Sequence, residues 1–555
     1  MTMPAEYKYR FRPPTGTPEE RSATPPRYRR EVKDGMIIER DVRVDLRGGV
    51  HVYADIFRPE DEAPAPPLIA WGPYGKHSPI QLPTYRPNGG VAPGQLSRYT
   101  AFEAPDPVFW VNHGYVVINV DMPGTWYSGG QATFISPEEA QYGYDFVEWA
   151  AAQSWSNAKV GLSGVSYLTI CQWTIAATNP PHLAAINPWE GWTDTYREVV
   201  RHGGIPETNF WPSMCQAWGY GTNTVEDLMR ETAEHPFFDS FWASKAPDLG
   251  KITVPAYVVA SYSDQGMHTR GTFEGFKRIG SQQKWLDAHG RKKWGYYYSE
   301  EALSRQLSFF DHFLKGKQTD VLDWPRVRYE VRERPYVGKV RTSTAWPPPE
   351  TELLSLHLNA KASSLRSQLT PTVASVSYDS EQTGRARRRA TFDMRFTEAT
   401  ELVGGMRLKL WVSTEDGHDM DVFVALQKLD VYGDVVGFPY YSVFEDGPVA
   451  LGWLRASHRE LDESRSTPLQ PVLAHQRELP LRPGEIVPIE VEILPSATRF
   501  EAGETLRVVI QGKDIYRYPR PLMLTYHDAS VNRGLHSIHT GGHYDSQLTV
   551  PVVHR

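Results

Sequence analysis

The sequence predicts an α/β protein whose sheet domain is interrupted by a helical insertion and followed by an all-β domain. Two apolar runs, PPLIAWGPYG and YVVINVDMPG, are bounded by glycine and proline, which suits strands buried on both faces of a parallel sheet. The stretch EEAQYGYDFVEWAAAQ has helical character, and strand–helix–strand alternation is typical of α/β folds. After Gly316, segments such as MRLKLWVSTE and ETLRVVIQG alternate apolar and polar residues, which indicates a β-sandwich or jelly roll.

These changes in residue pattern divide the 555 residues into five segments. The first 30 or so residues are rich in proline, arginine and glutamate, so we expect an extended arm that lies on the surface or on a neighbouring subunit. From Met36, MIIERDVRVDL and VHVYADIFRP alternate as a half-buried antiparallel pair would. The predicted segments are an arm (1–30), the first part of the sheet domain (31–184), a helical cap (185–250), the second part of the sheet domain (251–320) and a jelly-roll β-domain (321–555).

Composition excludes several classes of protein. The 59 Lys and Arg residues against 66 Asp and Glu give a net charge of −7, whereas a nucleic-acid-binding protein needs a basic face. No apolar stretch is long enough to span a membrane, and the N-terminal residues lack the apolar core of a signal peptide. Cys171 and Cys215 are better interpreted as free thiols in a reducing compartment than as a disulfide framework. We therefore expect a soluble cytoplasmic protein.

Aromatic residues are the compositional surplus. The 17 Trp and 29 Tyr exceed what cores need, and the excess suits a pocket for an organic ligand.

GPYGKHS is not a phosphate loop because Ala70 stands where such a loop begins with glycine, and His536, His539 and His543 fall in the predicted β-domain. We expect neither cofactor nor metal. A small organic substrate is the expected partner, and assembly as a homo-oligomer stays open.

The segment KVGLSGVSYL has the form of a nucleophile elbow. An apolar strand runs into a turn at Ser166, small neighbours allow the backbone to fold tightly, and a helix follows. Neither serine of the segment fits G-x-S-x-G strictly, since Ser163 has Val165 in the last glycine position and Ser166 has Leu168 there. Ser166 is the candidate nucleophile because it lies at the turn between strand and helix.

An acyl-transfer serine needs a base and an orienting carboxylate, which α/β-hydrolases supply in the chain order Ser, Asp, His. Asp264 ends the buried run VPAYVVASYSD, and His289 closes the segment QKWLDAH; both agree with this order. Asp287 is a local alternative for the acid, but two residues before the histidine it leans away along an extended segment. One expected oxyanion donor is the backbone N–H of Tyr167, and a second is expected from the loop after an early strand, where the Tyr74 phenol is a candidate. By chemistry alone, packing is the commoner role of such a tyrosine.

Taken together, these motifs carry a family resemblance from about residue 35 to 555. The chain resembles the cocaine-esterase and X-Pro dipeptidyl-peptidase group of serine hydrolases, the CocE/NonD family. The motifs concerned are WSNAKVGLSGVSYLT, GPYGK, DMPGTWYSGG, SYSDQG, HGRKKW and the closing HTGGHYDSQLTVPVV. The resemblance implies an α/β-hydrolase fold with a C-terminal jelly roll. It implies Ser166, Asp264 and His289 as the catalytic residues, with Tyr74 and Tyr167 in the oxyanion hole.

Two positions depart from the family pattern. Thr169 stands where the elbow has its second glycine, so we expect the first helical turn to lie slightly further from its strand. Pro123 replaces the arginine of the D-x-R-G segment, so the contacts of that arginine are absent or supplied otherwise. Neither departure touches the predicted triad.

The expected substrate is a carboxylic ester of a small aromatic or hydrophobic acyl group. No second acid lies beside Asp264 in the turn SYSDQG, whereas members that take free α-amino groups need carboxylates to hold an ammonium. Acids of the predicted cap could still supply such an anchor; they are Glu190, Asp194, Glu198 and Glu207. The predicted substrate-binding residues are Trp189, Trp192, Trp211 and Trp218. The alternatives are X-Pro dipeptidyl-peptidase, α-amino acid ester hydrolase or amide acylase activity, and a jelly-roll binding module that carries an inactive hydrolase domain.

Overall fold

A parallel sheet organises the first half of the protein. The computed structural model describes residues 7–61, 63–76, 88–384, 386–518 and 524–554. The strands before the insertion are β1 (Phe11–Arg12), β2 (Arg29–Lys33), β3 (Met36–Asp45), β4 (His51–Pro59), β5 (Pro67–Gly72), β6 (Val116–Asp121), β7 (Val160–Val165) and β8 (Leu183–Trp189). The helices among them are α1 (Pro107–Asn112), α2 (Pro137–Ala151) and α3 (Tyr167–Ala176). Every residue of β5, β6 and β7 is buried, as their apolar runs predict.

The insertion follows β8 and contains short helices and strands. Its elements are β9 (Arg201–His202), β10 (Ile205–Pro206), α4 (Phe210–Ala217), β11 (Val225–Glu226), α5 (Leu228–Glu234) and α6 (Ser240–Ser244). The N-terminal arm lies on this segment of its own chain: β1 pairs with β11, and the Tyr7 hydroxyl donates to Glu231 at 2.7 Å. The description of the insertion as a cap stays a prediction.

The sheet resumes after the insertion and ends in a long helix. The elements are β12 (Ala256–Ser261), α7 (Thr269–Arg278), β13 (Lys284–His289), α8 (Lys293–Tyr297) and α9 (Glu300–Lys315). Ser299 caps the N-terminus of α9, and Gly316 ends it in the left-handed conformation at φ 70°. None of the helices in the described residues has the length and apolar content needed to cross a membrane.

The C-terminal half consists of strands joined by turns, as its period-two pattern predicts. The strands are β14 (Val327–Arg334), β15 (Val337–Ser343), β16 (Glu352–Asn359), β17 (Ser364–Arg366), β18 (Ala374–Asp379), β19 (Arg389–Arg395), β20 (Thr400–Thr414), β21 (Asp421–Leu429), β22 (Val435–Val436), β23 (Phe438–Tyr440), β24 (Phe444–Gly447), β25 (Ala450–Arg455), β26 (Val487–Phe500), β27 (Thr505–Gln511), β28 (Leu535–Thr540) and β29 (Gln547–Val553). The strands from β16 onward enclose an apolar core of their own, which includes Leu408, Val422 and Ile489. In contrast, β14 and β15 extend the large sheet beside β13. The jelly-roll order of these strands stays a prediction.

The order of strands in the large sheet places the loops that carry the chemistry. The order is β2-β3-β4-β6-β5-β7-β8-β12-β13-β14-β15, with parallel pairing from β6 to β14. The antiparallel pair predicted from Met36 onward is confirmed as β3 and β4. Because β7, β8, β12 and β13 are adjacent and parallel, the residues after them meet at one edge, where α/β proteins bind ligands.

A buried ion pair within the insertion lies next to the arm. The Lys245 ammonium lies 2.5 Å from Glu226 Oε1, donates to the Phe134 carbonyl at 2.7 Å and sits 4.2 Å from the centre of the Tyr9 ring. Both charged side chains are almost fully buried. Removing one partner of such a pair leaves an uncompensated buried charge.

We predict that Glu226→Gln lowers the free energy of unfolding by about 3–5 kcal/mol, as measured by urea denaturation. The matched control is Glu234→Gln, which removes an exposed carboxylate paired with Arg230 and is expected to change nothing measurable. Equal and small effects of the two substitutions would contradict the role assigned to the buried pair.

Candidate active site

Ser166 lies on a strained turn between β7 and α3. Its backbone angles are φ 60° and ψ −119°, a conformation that costs free energy in a non-glycine residue. Gly164 leaves the space for this turn, since a Cβ atom there would lie 2.6 Å from the Cβ atom of Leu168. Thr169, which replaces the second glycine of the elbow, donates its hydroxyl to the carbonyls of Gly164 at 2.9 Å and Trp189 at 2.8 Å. The turn therefore presents the serine at the carboxyl edge of the sheet.

The histidine that reaches the serine is His268. Its Nε2 atom lies 3.2 Å from Ser166 Oγ, and its Nδ1 atom is hydrogen-bonded to Asp264 Oδ2. Asp264 follows β12, and one turn of chain then leads to His268 at the start of α7, with the His268 N–H donating to the Asp264 carbonyl at 3.0 Å. A spacing of four residues in a helical turn puts both side chains on one face. The set Ser166, His268 and Asp264 has the connectivity of a catalytic triad.

His289, the base expected from the sequence, is not brought to the serine. It is the last residue of β13 and pairs in register with Ser261, so the ladder fixes the direction of its side chain. Its Nε2 atom lies 3.2 Å from Glu190 Oε1, and its ring centre lies 4.2 Å from that of Tyr296. His268 therefore replaces His289 as the candidate base. The spacing D-x-x-x-H in SYSDQGMH could have indicated this pair of acid and base. It was missed because the base was expected at the end of a strand.

The two alternatives of the sequence reading lie elsewhere. The carboxylate of Asp287 accepts from Tyr257 at 3.1 Å and from Arg328 at 2.8 Å. Ser163 lies within β7 and shares a hydrogen bond of 3.2 Å with the Tyr297 hydroxyl. Neither residue is part of the set around Ser166.

The electrostatics of the site suit a neutral base. Burial lowers the pKa of His268 below its ordinary value of 6.5, although Asp264 opposes this shift. Burial alone would raise the pKa of Asp264, but the Lys293 ammonium, 2.9 Å from Oδ2, and His268 outweigh it and hold this pKa below its usual range. At neutral pH the imidazole is thus free to accept a proton while the carboxylate is ionised.

Tyr74 and Tyr167, the residues predicted for the oxyanion hole, both lie next to Ser166. The Tyr74 hydroxyl is hydrogen-bonded to the Ser166 side chain and to the backbone N–H of Tyr167. Burial raises the pKa of Tyr74 well above its ordinary value of 10.0, so the phenol keeps its proton and remains a donor. The Tyr167 hydroxyl points away from the serine and donates to Glu139 at 2.9 Å. The two donors predicted from the sequence therefore meet at Ser166.

The four predicted substrate-binding tryptophans take different places. The Trp192 ring stacks on His268 with centres 5.5 Å apart, and the Trp218 ring packs against that of Tyr167 at 4.9 Å. Trp211 lies behind Trp218, at 6.1 Å between ring centres. Trp189 is the last residue of β8 and packs on the rings of His289 and Tyr297. The rings of Trp192 and Trp218 thus pack against residues of the set around Ser166, whereas Trp189 meets this set through its carbonyl, which accepts from the Ser166 N–H at 3.2 Å.

In the part of the chain that the structure describes, no group of three or more His, Cys, Asp or Glu side chains is arranged to hold an ion. His539, one of the three spaced C-terminal histidines, shares a hydrogen bond of 2.9 Å with Ser413. Cys171 and Cys215 are both buried free thiols.

Two family models match the chain. One, the X-Pro dipeptidyl-peptidase (S15 family) model, covers residues 48–227, and the other, its C-terminal non-catalytic domain, covers residues 319–549. The first match contains Ser166, and the second covers the strand-rich half. Together they agree with a catalytic α/β domain followed by a β-rich domain.

Solved structures and curated proteins extend this similarity to almost the whole chain. A CocE/NonD family hydrolase from Staphylococcus aureus is 44% identical, and the match spans 96% of this chain and 98% of that one with a TM-score of 0.92. The cocaine esterase of Rhodococcus sp. (strain MB1 Bresler) is 22% identical over 93% of this chain and 98% of its own length. An aminopeptidase from the marine sediment archaeon Thaumarchaeota archaeon shares the fold, with 15% identity, a TM-score of 0.71 and coverage of 95% and 96%. The family resemblance read from the motifs is confirmed.

We predict that His268→Ala and His289→Ala separate the two candidate bases. His268→Ala is expected to slow labelling of Ser166 by a fluorophosphonate by about 10⁴-fold or more, because the hydroxyl loses its proton acceptor. His289→Ala leaves that contact in place and is expected to label at a rate near that of the unchanged protein. The measurement is the second-order labelling rate at neutral pH, and the reverse ranking would return the base to His289.

Proposed function

Since the chain belongs to the CocE/NonD family, the cocaine-esterase and X-Pro dipeptidyl-peptidase group of serine hydrolases, we propose that it cleaves carboxylic esters of small neutral acyl groups. The proposed reaction passes through an acyl-enzyme on Ser166. The observation that carries this proposal is the continuous hydrogen-bonded set from Ser166 Oγ through His268 to Asp264. This set lies at the carboxyl edge of the sheet.

In the proposed mechanism His268 acts twice. Its Nε2 atom takes the proton of Ser166 as the hydroxyl attacks the ester carbonyl, and then gives that proton to the departing alkoxide. Asp264 accepts the Nδ1–H bond, which fixes the tautomer and stabilises the imidazolium. Water then attacks the acyl-enzyme with His268 as base, and the serine is restored.

The tetrahedral intermediate carries its negative charge on the former carbonyl oxygen. Tyr74 and the Tyr167 N–H both reach Ser166, so an oxyanion formed there meets two donors that are already in place. Donors fixed before the reaction stabilise the developing charge without reorganisation, which is the main contribution expected of such a site.

The acids of the insertion favour a neutral acyl group over an α-amino one. The Asp194 carboxylate is paired with Arg197 at 2.7 Å, and that of Glu198 with Arg270 at 2.8 Å. Glu207 accepts backbone N–H groups, including that of Trp211 at 2.7 Å. Acids already engaged in this way are poor anchors for a substrate ammonium. The rings of Trp192 and Trp218 instead offer apolar surface beside the triad.

A second candidate function is cleavage of X-Pro peptides, α-amino esters or amides. The match to the S15 peptidase model over residues 48–227 favours it. An inactive hydrolase domain attached to a binding module is the non-enzymatic alternative, and the hydrogen-bonded serine argues against it.

A substrate panel separates these possibilities. Aryl and alkyl esters of neutral acids are compared with matched amides, an α-amino ester and an X-Pro anilide, with Ser166→Ala as the background. We expect the neutral esters to give the highest kcat/KM, because an alkoxide departs more readily than an amine. Dominant turnover of the anilide or the α-amino ester would favour the second candidate. Absence of both turnover and fluorophosphonate labelling would favour the inactive module.

We predict that Tyr74→Phe lowers kcat for a good ester substrate by about 10²–10³-fold with little change in KM, because one oxyanion donor is lost. The matched control is Tyr297→Phe, which removes a buried hydroxyl bonded to Ser163 but no group at the oxyanion position. Steady-state kinetics on both variants decide the matter, and similar values of kcat for the two would refute the assignment of Tyr74.

A further inference from the structure

Lys293 is a buried cation at the back of the triad. It begins α8, directly after the loop that follows β13, and its side chain is 6% exposed. Its Nζ atom lies 2.9 Å from Asp264 Oδ2 and 4.0 Å from Glu103 Oε1. In the usual acyl-transfer mechanism, a lysine in contact with the acid of the triad has no role. The burial of Lys293 beside Asp264 therefore needs another explanation.

The ammonium and the imidazole share one carboxylate oxygen. Asp264 Oδ2 is bonded both to His268 Nδ1 and to Lys293 Nζ, whereas Oδ1 has no hydrogen-bond partner among the described residues. Two donors on the same oxygen restrict the rotation of the carboxylate about its side chain. The ion pair also offsets the negative charge that would otherwise draw a proton onto the imidazole.

We propose that Lys293 is a positioning residue of the triad, whose ammonium holds Asp264 against His268 and keeps the imidazole neutral in weakly acidic solution. The proposal rests on the proposed function through the assignment of His268 as base. Lys293 acts through Asp264, and the reacting atoms remain those of Ser166 and His268.

The charges around His268 also favour a neutral imidazole. Burial lowers the pKa of His268, Asp264 raises it and Lys293 lowers it again. Burial raises the pKa of Glu103 to about 7 against the pull of Lys293, so this carboxyl carries little charge in weak acid. The other titratable groups that face this set are Glu190 after β8, His289 at the end of β13 and Tyr441 from the C-terminal half. Among these surrounding groups, the Lys293 ammonium is the cation that contacts Asp264.

The test is the pH dependence of Ser166 labelling by a fluorophosphonate, which needs no knowledge of the natural substrate. Loss of the lysine charge stabilises the imidazolium, so the pH at which labelling reaches half its maximum is expected to rise by about one unit in Lys293→Met. Lys293→Arg keeps the charge and is expected to stay close to the unchanged protein. Lys293→Gln keeps a donor without the charge and is expected to shift like Lys293→Met.

A neighbouring lysine provides the matched control. Lys292 is paired with Glu445 at 2.8 Å and has no contact with Asp264 among those the structure describes. Lys292→Met therefore removes one lysine charge next in sequence and is expected to leave the midpoint unchanged.

Each outcome bears on one hypothesis. A uniform loss of labelling at every pH, with the midpoint fixed in Lys293→Met and Lys293→Gln, would mean that Lys293 is only structural. If Lys293→Met does not fold, Lys293→Gln with Lys293→Arg carries the same comparison. If the unchanged protein is not labelled at all, the proposed function fails and not the role of Lys293 alone.

Discussion

The single turn of chain from Asp264 to His268 is the constraint on which the site depends. Because acid and base lie four residues apart at the start of α7, one turn sets both the His268–Asp264 hydrogen bond and the reach of the imidazole to Ser166. The Thr269 hydroxyl holds the turn to the end of β12 by donating to the Ser261 carbonyl at 2.9 Å. A small change in the winding of this turn would move the side chains of Asp264 and His268 together.

The C-terminal half of the chain holds the same turn from the other side. The Tyr441 N–H donates to the Ser263 carbonyl at 2.8 Å. At Gly266, where φ is +83°, an added Cβ atom would lie 2.6 Å from the Tyr441 hydroxyl and 2.7 Å from that of Thr525. Glycine is thus required both by the backbone conformation and by the closeness of the β-domain. The β-rich half is therefore part of the scaffold of the catalytic turn.

Two buried histidines connect this turn to the β-rich half. His202 Nε2 donates to the Gly266 carbonyl at 2.9 Å, and its Nδ1 atom lies 2.8 Å from His527 Nε2. Burial lowers the pKa of His202 to about 3, so His202 is neutral and its Nδ1 accepts. The Nε2 atom of His527 faces this acceptor, and its Nδ1 atom lies 2.8 Å from Asp514 Oδ1. Burial lowers the pKa of His527, but Asp514 outweighs it and raises this pKa overall.

Sequence patterns predicted the sheet and the turn at Ser166 because both depend on local signals. Apolar runs between glycine and proline fixed β5 and β6, and the tight turn fixed Ser166. The prediction of His289 as the base was wrong because the order of residues at strand ends does not tell in which direction their side chains point. His289 is still in the ladder with Ser261, and only the register decides that it faces Glu190. The tryptophans were hard to assign for the same reason, since composition does not tell which ring lies beside the triad.

The charge around the triad explains why a lysine next to Asp264 is compatible with catalysis. In the proposed mechanism, two cations share Asp264 Oδ2 when the imidazolium of His268 forms, and their repulsion alone would disfavour the transition state. Glu103 lies 4.0 Å from Lys293, and its pKa of about 7 lets it lose a proton near neutrality. Its carboxylate then supplies the second negative charge that two cations require. The arrangement favours a neutral imidazole in the resting enzyme and still offers a counter-charge when the imidazole is protonated.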